Sequence, residues 1–285
     1  MIHSSKIKLS VALATYNEER CLADCLKSVN GLADEIVVVD GSSTDETVKI
    51  AKDFGARVIV TTNKPIFHIN KQMAIDECEG EWILQLDADE IIPSELADEI
   101  RQVIESAVSQ SPISDCQPKI ANRFPVAYWI KRKNYFLGKW LKKGGQYPDP
   151  VIRLFKKGKA YLPCKSVHEQ MEVEGEIGWL KNPMIHIPTP SFATYLTKSN
   201  RYTSLSAKEL LDRKIEINLF SFVNFLFYKP FKTFFSLFFR HRGFLDGFPG
   251  FVFAFYSGLH HASAFIKYWE MKNSSKKIDI EKDWI

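Results

Sequence analysis

The feature that most constrains this chain is the alternation of four strand-like runs with three helical ones in its first hundred residues. "KLSVALATYN" carries a buried apolar run, Leu9 to Ala14, that ends on polar residues, and "EERCLADCLKSV" follows with Leu22, Leu26 and Val29 at helical spacing. "ADEIVVVDGSSTDE" repeats the logic. Ile36 to Val39 is a continuous β-branched run, the pattern of a parallel strand covered on both faces, and it stops at Asp40 and a Gly-Ser-Ser turn. Ser43 and Glu46 have capping-box spacing, which predicts a helix over "ETVKIAKDFG" closed by Gly55. "ARVIVTT" reads as a third strand, "HINKQMAIDECEG" as a third helix stopped by Gly80, and "EWILQLDADE" as a fourth strand. Such a series builds a parallel sheet flanked by helices.

Sheets of this kind bind ligands at the carboxyl ends of their strands. Three polar clusters fall there: Thr15 to Glu18, Asp40 to Ser43, and Asp87 to Glu90. No GxGxxG follows the first strand and no GxxxxGK[ST] occurs, so neither a dinucleotide fold nor a P-loop is signalled. The third cluster is the most demanding. The greasy run Trp82 to Leu86 stops at Asp87, Asp89 and Glu90, then Ile91 and Ile92 resume. Carboxylates this close repel unless something positive sits among them. Mg²⁺ sites take one or two carboxylates plus substrate phosphates, which points to a metal–diphosphate site with the second carboxylate accepting from a sugar or ribose hydroxyl. The alternative is a solvated turn that caps the helix starting in "DADEIIPSELADEI". The two other polar strand ends favour the metal reading.

Of the 285 residues, 45% are hydrophobic and 25% charged, as a packed globular protein requires, and a net charge of +4 is too small to suggest nucleic acid. Cys21, Cys25, Cys78, Cys116 and Cys164 form no CxxC pair, so reduced thiols in a cytoplasmic protein are expected. The first residues carry no long apolar run before their acids, so no signal peptide is expected.

"LSVALATYNEE", "EIVVVDGSSTDET" and "WILQLDADE" resemble, in this order, the donor-binding half of a family 2 glycosyltransferase. "RLFKKGKAYLPCKSVHEQ" through "GFLDGFPG" resembles, more loosely, bacterial members that add a sugar to the lipopolysaccharide core, β-glucosyltransferases among them. The resemblance implies a GT-A α/β fold: a mostly parallel central sheet with a Rossmann-like nucleotide-sugar half at residues 1–100, an acceptor half at 101–195, and an aromatic helical extension at 196–285. It implies that Thr15, Asn17 and Glu18 line the nucleotide pocket and that Asp40 accepts from the base edge with Ser42 beside it. Lys71 would contact base or phosphate, or be an ordinary exposed lysine. Asp87 and Ala88 would hold ribose or donor sugar, and Asp89 the metal, Mg²⁺ or Mn²⁺.

The implied reaction is inverting transfer of a hexose, with UDP-glucose the favoured donor, to a glycan or lipid-linked hydroxyl in cell-envelope synthesis. A carboxylate base removes the acceptor proton. Glu169 in "KSVHEQ" is the leading candidate and Asp149 in "QYPDPVIRLF" the rival, although its flanking prolines also suit a rigid turn. His168 would ligate the metal or hold the acceptor. His186 in "NPMIHIP" would complete the metal shell, or be a core histidine. Arg153 and the lysines of "KGKAYLPCK" would meet diphosphate or an anionic acceptor, or form a solvated edge. A nucleotidyltransferase is the alternative enzyme, disfavoured by "TYNEER" where a Gly-rich basic loop would stand. A non-catalytic membrane-bound scaffold is the other alternative.

The segment from Asn218 to Trp269 holds most of the 21 phenylalanines. Lys229, Lys232, Arg240 and Arg242 interrupt it, so it reads as interfacial helices against an anionic membrane surface rather than as a span, giving a peripheral protein on the cytoplasmic face. Packing on the catalytic domain or on a second subunit is the alternative. "SNRYTSLSAKELLDRK" reads as an amphipathic helix leading into it.

Overall fold

The alternation is realised element by element in a computed structural model, which describes residues 8–64, 66–109, 124–164 and 170–274. Strand β1 (Leu9–Thr15), helix α1 (Leu22–Val29), β2 (Glu35–Asp40), α2 (Thr47–Asp53), β3 (Arg57–Val60), α3 (His68–Glu77) and β4 (Trp82–Leu86) follow in order. β1 lies between β2 and β4, parallel to both, with Leu13 opposite Val38 on one side and Leu86 on the other. β3 extends the parallel run beyond β2. Val37 to Val39 are fully buried, as their two-faced coverage requires, and so are Leu22, Leu26 and Val29 of α1.

The predicted capping box at Ser43 is corrected. α2 begins at Thr47, and the Ser43 hydroxyl donates instead to Asp40 Oδ2 at 2.6 Å. Asp40 is buried and needs donors, and Ser43 is the nearest hydroxyl in its turn. Asp45 takes over at the helix start, accepting the Thr47 N–H at 3.0 Å.

After β4 come β5 (Glu90–Ile91), α4 (Ser94–Ser109), β6 (Ala127–Phe136), β7 (Lys139–Trp140), β8 (Asp149–Lys156), β9 (Ala160–Tyr161), β10 (Glu172–Val173), β11 (Ile177–Trp179) and β12 (Met184–Thr189). β8 pairs antiparallel with β4 through Ile83 and Phe155, and β6 pairs antiparallel with β8 through Arg132 and Asp149. β12 pairs antiparallel with β5, setting His186 opposite Glu90. The order is β3-β2-β1-β4-β8-β6-β12-β5, a parallel half continued by antiparallel strands. Because β8 runs against β4, its first residues reach past the carboxyl end of β4, and this brings Arg153 to the acidic cluster.

The chain divides into two compact units, one of residues 1–132 and 149–186, the other of 133–148 and 187–285. In the second, Ser191 caps α5 (Phe192–Asp212) by accepting the Thr194 N–H at 3.1 Å. Asn218 and Ser221 form a reciprocal capping box at the start of α6 (Leu219–Val223). A π-type turn, Asn224–Tyr228, leads into α7 (Lys229–Phe235), and a second, Ser236–Arg240, prolongs it. α8 (Gly247–Asn273) packs close to α7: a Cβ at Gly258 would lie 2.7 Å from the Pro230 carbonyl oxygen. Among the described residues, no helix is long and apolar enough to cross a membrane.

Gly80 marks the tightest approach of β4's entry to β1. Its N–H donates to Ser10 Oγ at 2.8 Å, and a Cβ there would lie 2.6 Å from that oxygen and 2.7 Å from the Ser10 nitrogen. Gly80→Ala is therefore expected to cost about 1–3 kcal/mol through overpacking, read by urea denaturation. Gly55→Ala, with open space around the added methyl, pays only for its left-handed φ of +76°.

Candidate active site

The loops after β1 and β2 are stitched to each other. Thr15 Oγ1 donates to Asp40 Oδ2 at 2.8 Å, and Gly41 N–H to the Thr15 carbonyl at 2.8 Å. Asn17 adopts a left-handed φ of 55°, donates its N–H to Ser43 Oγ at 2.8 Å, and accepts the Thr44 N–H on Oδ1 at 2.8 Å. The Glu18 N–H donates to Thr47 Oγ1 at 2.8 Å, and its carboxylate accepts from the Cys21 thiol at 3.1 Å. Ser42, also left-handed at 67°, donates to the Thr61 carbonyl at 2.7 Å. Asp40 is fully buried and accepts from Thr15, the Ser43 N–H and the Ser43 hydroxyl, so its carboxylate builds the turn. Asn17 and Ser42 are exposed at the surface of this double loop.

The acidic cluster after β4 has its own counter-charges, and they are side chains. The Arg153 guanidinium is buried. Its Nη2 donates to Asp87 Oδ2 at 2.6 Å and Glu90 Oε1 at 2.7 Å, and its Nη1 donates to Gln85 Oε1. Lys71, from α3, pairs with the other Asp87 oxygen and lies 4.9 Å above the Phe67 ring. Glu90, fully buried, also accepts the Asp87 N–H at 3.0 Å and lies 3.6 Å from Arg132 Nη1. Arg132 Nη2 in turn holds Asp149 Oδ2 at 2.7 Å. Charges of alternating sign thus run Lys71, Asp87, Arg153, Glu90, Arg132, Asp149, across α3, β4, β8, β5 and β6. Burial opposes ionisation of Asp87, but Arg153 and then Lys71 outweigh it and hold the carboxyl well below the usual carboxylate range. Arg153 is buried and not on a solvated edge. Lys71 is not an ordinary exposed lysine; its side chain is only 12% exposed.

Asp89 takes part in none of these pairs. Its Oδ1 lies 3.6 Å from His186 Nε2, brought there by the β5–β12 register. Ala88 between the two aspartates is buried and packs into the apolar core. An oxygen and an imidazole nitrogen at this separation are too far apart for a hydrogen bond and are donor types that Mn²⁺ accepts. Among the described residues no group of three or more His, Cys, Asp or Glu could hold a metal. Asp89 and His186 fit a cation as two of its ligands, with diphosphate and water able to supply others. Beneath the cluster, Cys25 donates to the Asp87 carbonyl at 3.6 Å. Burial, then the charges of Glu90, Cys21, Asp89 and Asp87, push its thiol well above the usual range, so it is no nucleophile. Glu169 and His168 lie outside the described residues.

Sequence reading placed Glu90 in the acidic cluster without giving it a role, and missed Arg132. The signal was there in Glu90, a third carboxylate in a buried strand end that needed a partner. A surface hollow of about 450 Å³ lies at the opposite, amino ends of the strands, lined by Asp34, Glu35, Arg57 and Glu79, and it gathers none of the predicted site residues.

Removing the guanidinium takes away the nearest counter-charge of both carboxylates and leaves Asp87 only Lys71 and the buried Glu90 only Arg132 at 3.6 Å, so Arg153→Met is expected to cost about 3–5 kcal/mol at pH 7. Because Arg153 and Lys71 lower the Asp87 carboxyl in the native chain, its contribution to stability is present above about pH 4 and is lost as pH falls below that, so the deficit of the variant should shrink there. Urea denaturation across this range reads both.

The model of glycosyl transferase family 2 matches residues 10–160. The protein called Uncharacterized glycosyltransferase RT0209, from Rickettsia typhi, is 31% identical over 256 residues, covering 86% of this chain and 81% of its own length. LpsC of Rhizobium meliloti, a lipopolysaccharide core biosynthesis glycosyltransferase, is 26% identical over 273 residues, covering 88% and 90%. The crystal structure of S. aureus TarS 1-349 in complex with UDP-GlcNAc is 17% identical, with a TM-score of 0.46 over 95% of this chain and 93% of that one. With its parallel strands ending in three polar clusters on a GT-A-like sheet, this chain is a glycosyltransferase and belongs to glycosyl transferase family 2.

Proposed function

We propose that the protein is an inverting, metal-dependent hexosyltransferase. It moves glucose from a nucleotide-sugar such as UDP-glucose to a hydroxyl of a glycan or lipid-linked acceptor, in lipopolysaccharide-core or related envelope synthesis, at the cytoplasmic face of a membrane. The observation that carries this is the pairing of Asp89 with His186 at the carboxyl end of β4, next to the ends of β1 and β2. The likeness to LpsC supports the substrate class.

In this reading the double loop of Thr15, Asn17, Glu18, Asp40 and Ser42 cradles the nucleotide. Lys71 and Asp87 orient the donor, with Asp87 fixed by Arg153 so that its position is set before the sugar arrives. Asp89 and His186 would hold the cation, which would supply positive charge against the diphosphate leaving group. The acceptor hydroxyl attacks the anomeric carbon from the face opposite the diphosphate. The bond from that carbon to the diphosphate oxygen breaks, the hydroxyl proton passes to a carboxylate, and the configuration inverts. Glu169 is the proposed base. Asp149, held by Arg132, is the rival.

Asp89→Asn is expected to lower kcat/KM by about two to three orders of magnitude. It should also abolish the Mn²⁺-dependent part of the melting-temperature rise given by UDP, a readout that needs no turnover. Unchanged Mn²⁺-dependent UDP binding in that variant contradicts the assignment. Glu169→Gln is expected to cost about 10²- to 10⁴-fold in kcat and to remove the acidic limb of the pH–rate profile, with donor binding intact. If Asp149→Asn does this instead, the base is Asp149.

A further inference from the structure

The second unit carries an apolar surface that its own fold does not cover. Along the helix from α6 through α7, Val223, Phe227, Phe231, Phe235 and Phe239 recur every fourth residue, and each is at least half exposed. In an α-helix of 3.6 residues per turn, four-residue steps drift by about 40° each, so such a stripe would wind around the helix. The two π-type turns, at Asn224–Tyr228 and Ser236–Arg240, hold more residues per turn and take up that drift. The backbone irregularity therefore keeps the aromatic stripe on one side. The stripe is also continuous with α8. Ring contacts at 5.1–6.5 Å link Phe231, Phe235, Phe239, Phe238, Phe251 and Phe255 in succession.

The charge around this surface has one sign. Between Ile217 and Trp269 the sole acid is Asp246. It is buried, accepting the Lys142 and Lys143 N–H groups at 3.1 and 2.8 Å. Lys232, Arg240 and Arg242 are exposed along the same stretch. A second copy of the chain docking on this face through a two-fold axis would set like charges against like. An anionic lipid surface satisfies both features, with rings entering the acyl boundary and basic heads at the phosphates.

We propose that this face of the α6–α7 helix and α8 is a membrane-docking surface for anionic phospholipid, with Phe231, Phe235 and Phe239 as its inserted anchors and Lys232, Arg240 and Arg242 as its headgroup contacts. This deepens the lipid-linked reading of the acceptor. The binding is measured without donor or acceptor, so its failure leaves glycosyl transfer standing.

The test is co-sedimentation of the full chain with vesicles of phosphatidylcholine alone and of phosphatidylcholine mixed equally with phosphatidylglycerol, at low and high salt. The expected result is binding to the mixed vesicles that weakens with salt and falls at least about tenfold in Phe231→Ser/Phe235→Ser/Phe239→Ser. Lys232→Glu/Arg240→Glu should lose the preference for mixed over neutral vesicles. Should the triple variant fail to fold, Leu219→Ser/Phe220→Ser changes the two most exposed apolar side chains of α6, 81% and 78% exposed, and is expected to weaken binding in the same direction. Wild-type protein that stays in the supernatant with both vesicle types overturns the proposal. So does a vesicle-free dimer, seen by sedimentation equilibrium, that the same substitutions dissociate.

Discussion

One guanidinium decides how the acidic end of β4 can exist. Arg153 places two donors between Asp87 and Glu90 and a third on Gln85, all in a region shielded from water. Its planar fork reaches three acceptors from one anchored side chain, which a lysine ammonium on a flexible stem does less well. Burying the charges is expensive, and that cost is offset only because each has a hydrogen-bonded opposite within reach. Such a group stays charged: burial lowers its affinity for the proton, but the flanking carboxylates raise it further.

From this pivot the ion pairs spread sideways rather than inward. Lys71 comes from a helix, Arg132 and Arg153 from two antiparallel strands, and Glu90 from a two-residue strand. Each pair ties a different element to the same corner, so residues far apart in sequence share one electrostatic frame. Asp89 stands beside that frame with its own neighbour, His186. The arrangement separates two tasks that a bare row of carboxylates would confuse. Asp87 and Glu90 are held in the chain of ion pairs, and Asp89 lies 3.6 Å from His186.

Where the sequence could be read, it was read through periodicity. The four parallel strands and their helices were legible because Val37 to Val39 and Leu22, Leu26 and Val29 declare their burial by spacing alone. The antiparallel half was not. β5, β7, β9 and β10 are two residues each, too short for any period. Arg153 stands before a run of lysines in "RLFKKGKA", which gave it the look of a solvated edge. Its burial depends on β8 running past β4, a fact of pairing, not of composition. Glu90 was visible as part of the acidic cluster, but its role was not, since Asp87 and Asp89 were given the donor and metal roles and its partners Arg153 and Arg132 come from distant strands. In the aromatic tail, an unbroken four-residue repeat drifts around an α-helix by about 40° per step, and it stays on one side only with the π-type turns in place.

The loops that follow β1 and β2 share their hydrogen bonds so fully that neither has an independent shape. Asn17 is held by Ser43 and Thr44, Glu18 by Thr47, and Asp40 by Thr15. For anyone exchanging either loop between relatives, the graft unit is this pair taken together. A single loop exchanged alone would arrive without the groups that fold it, and chimeras cut between residues 18 and 40 would inherit two halves of a clasp that do not close.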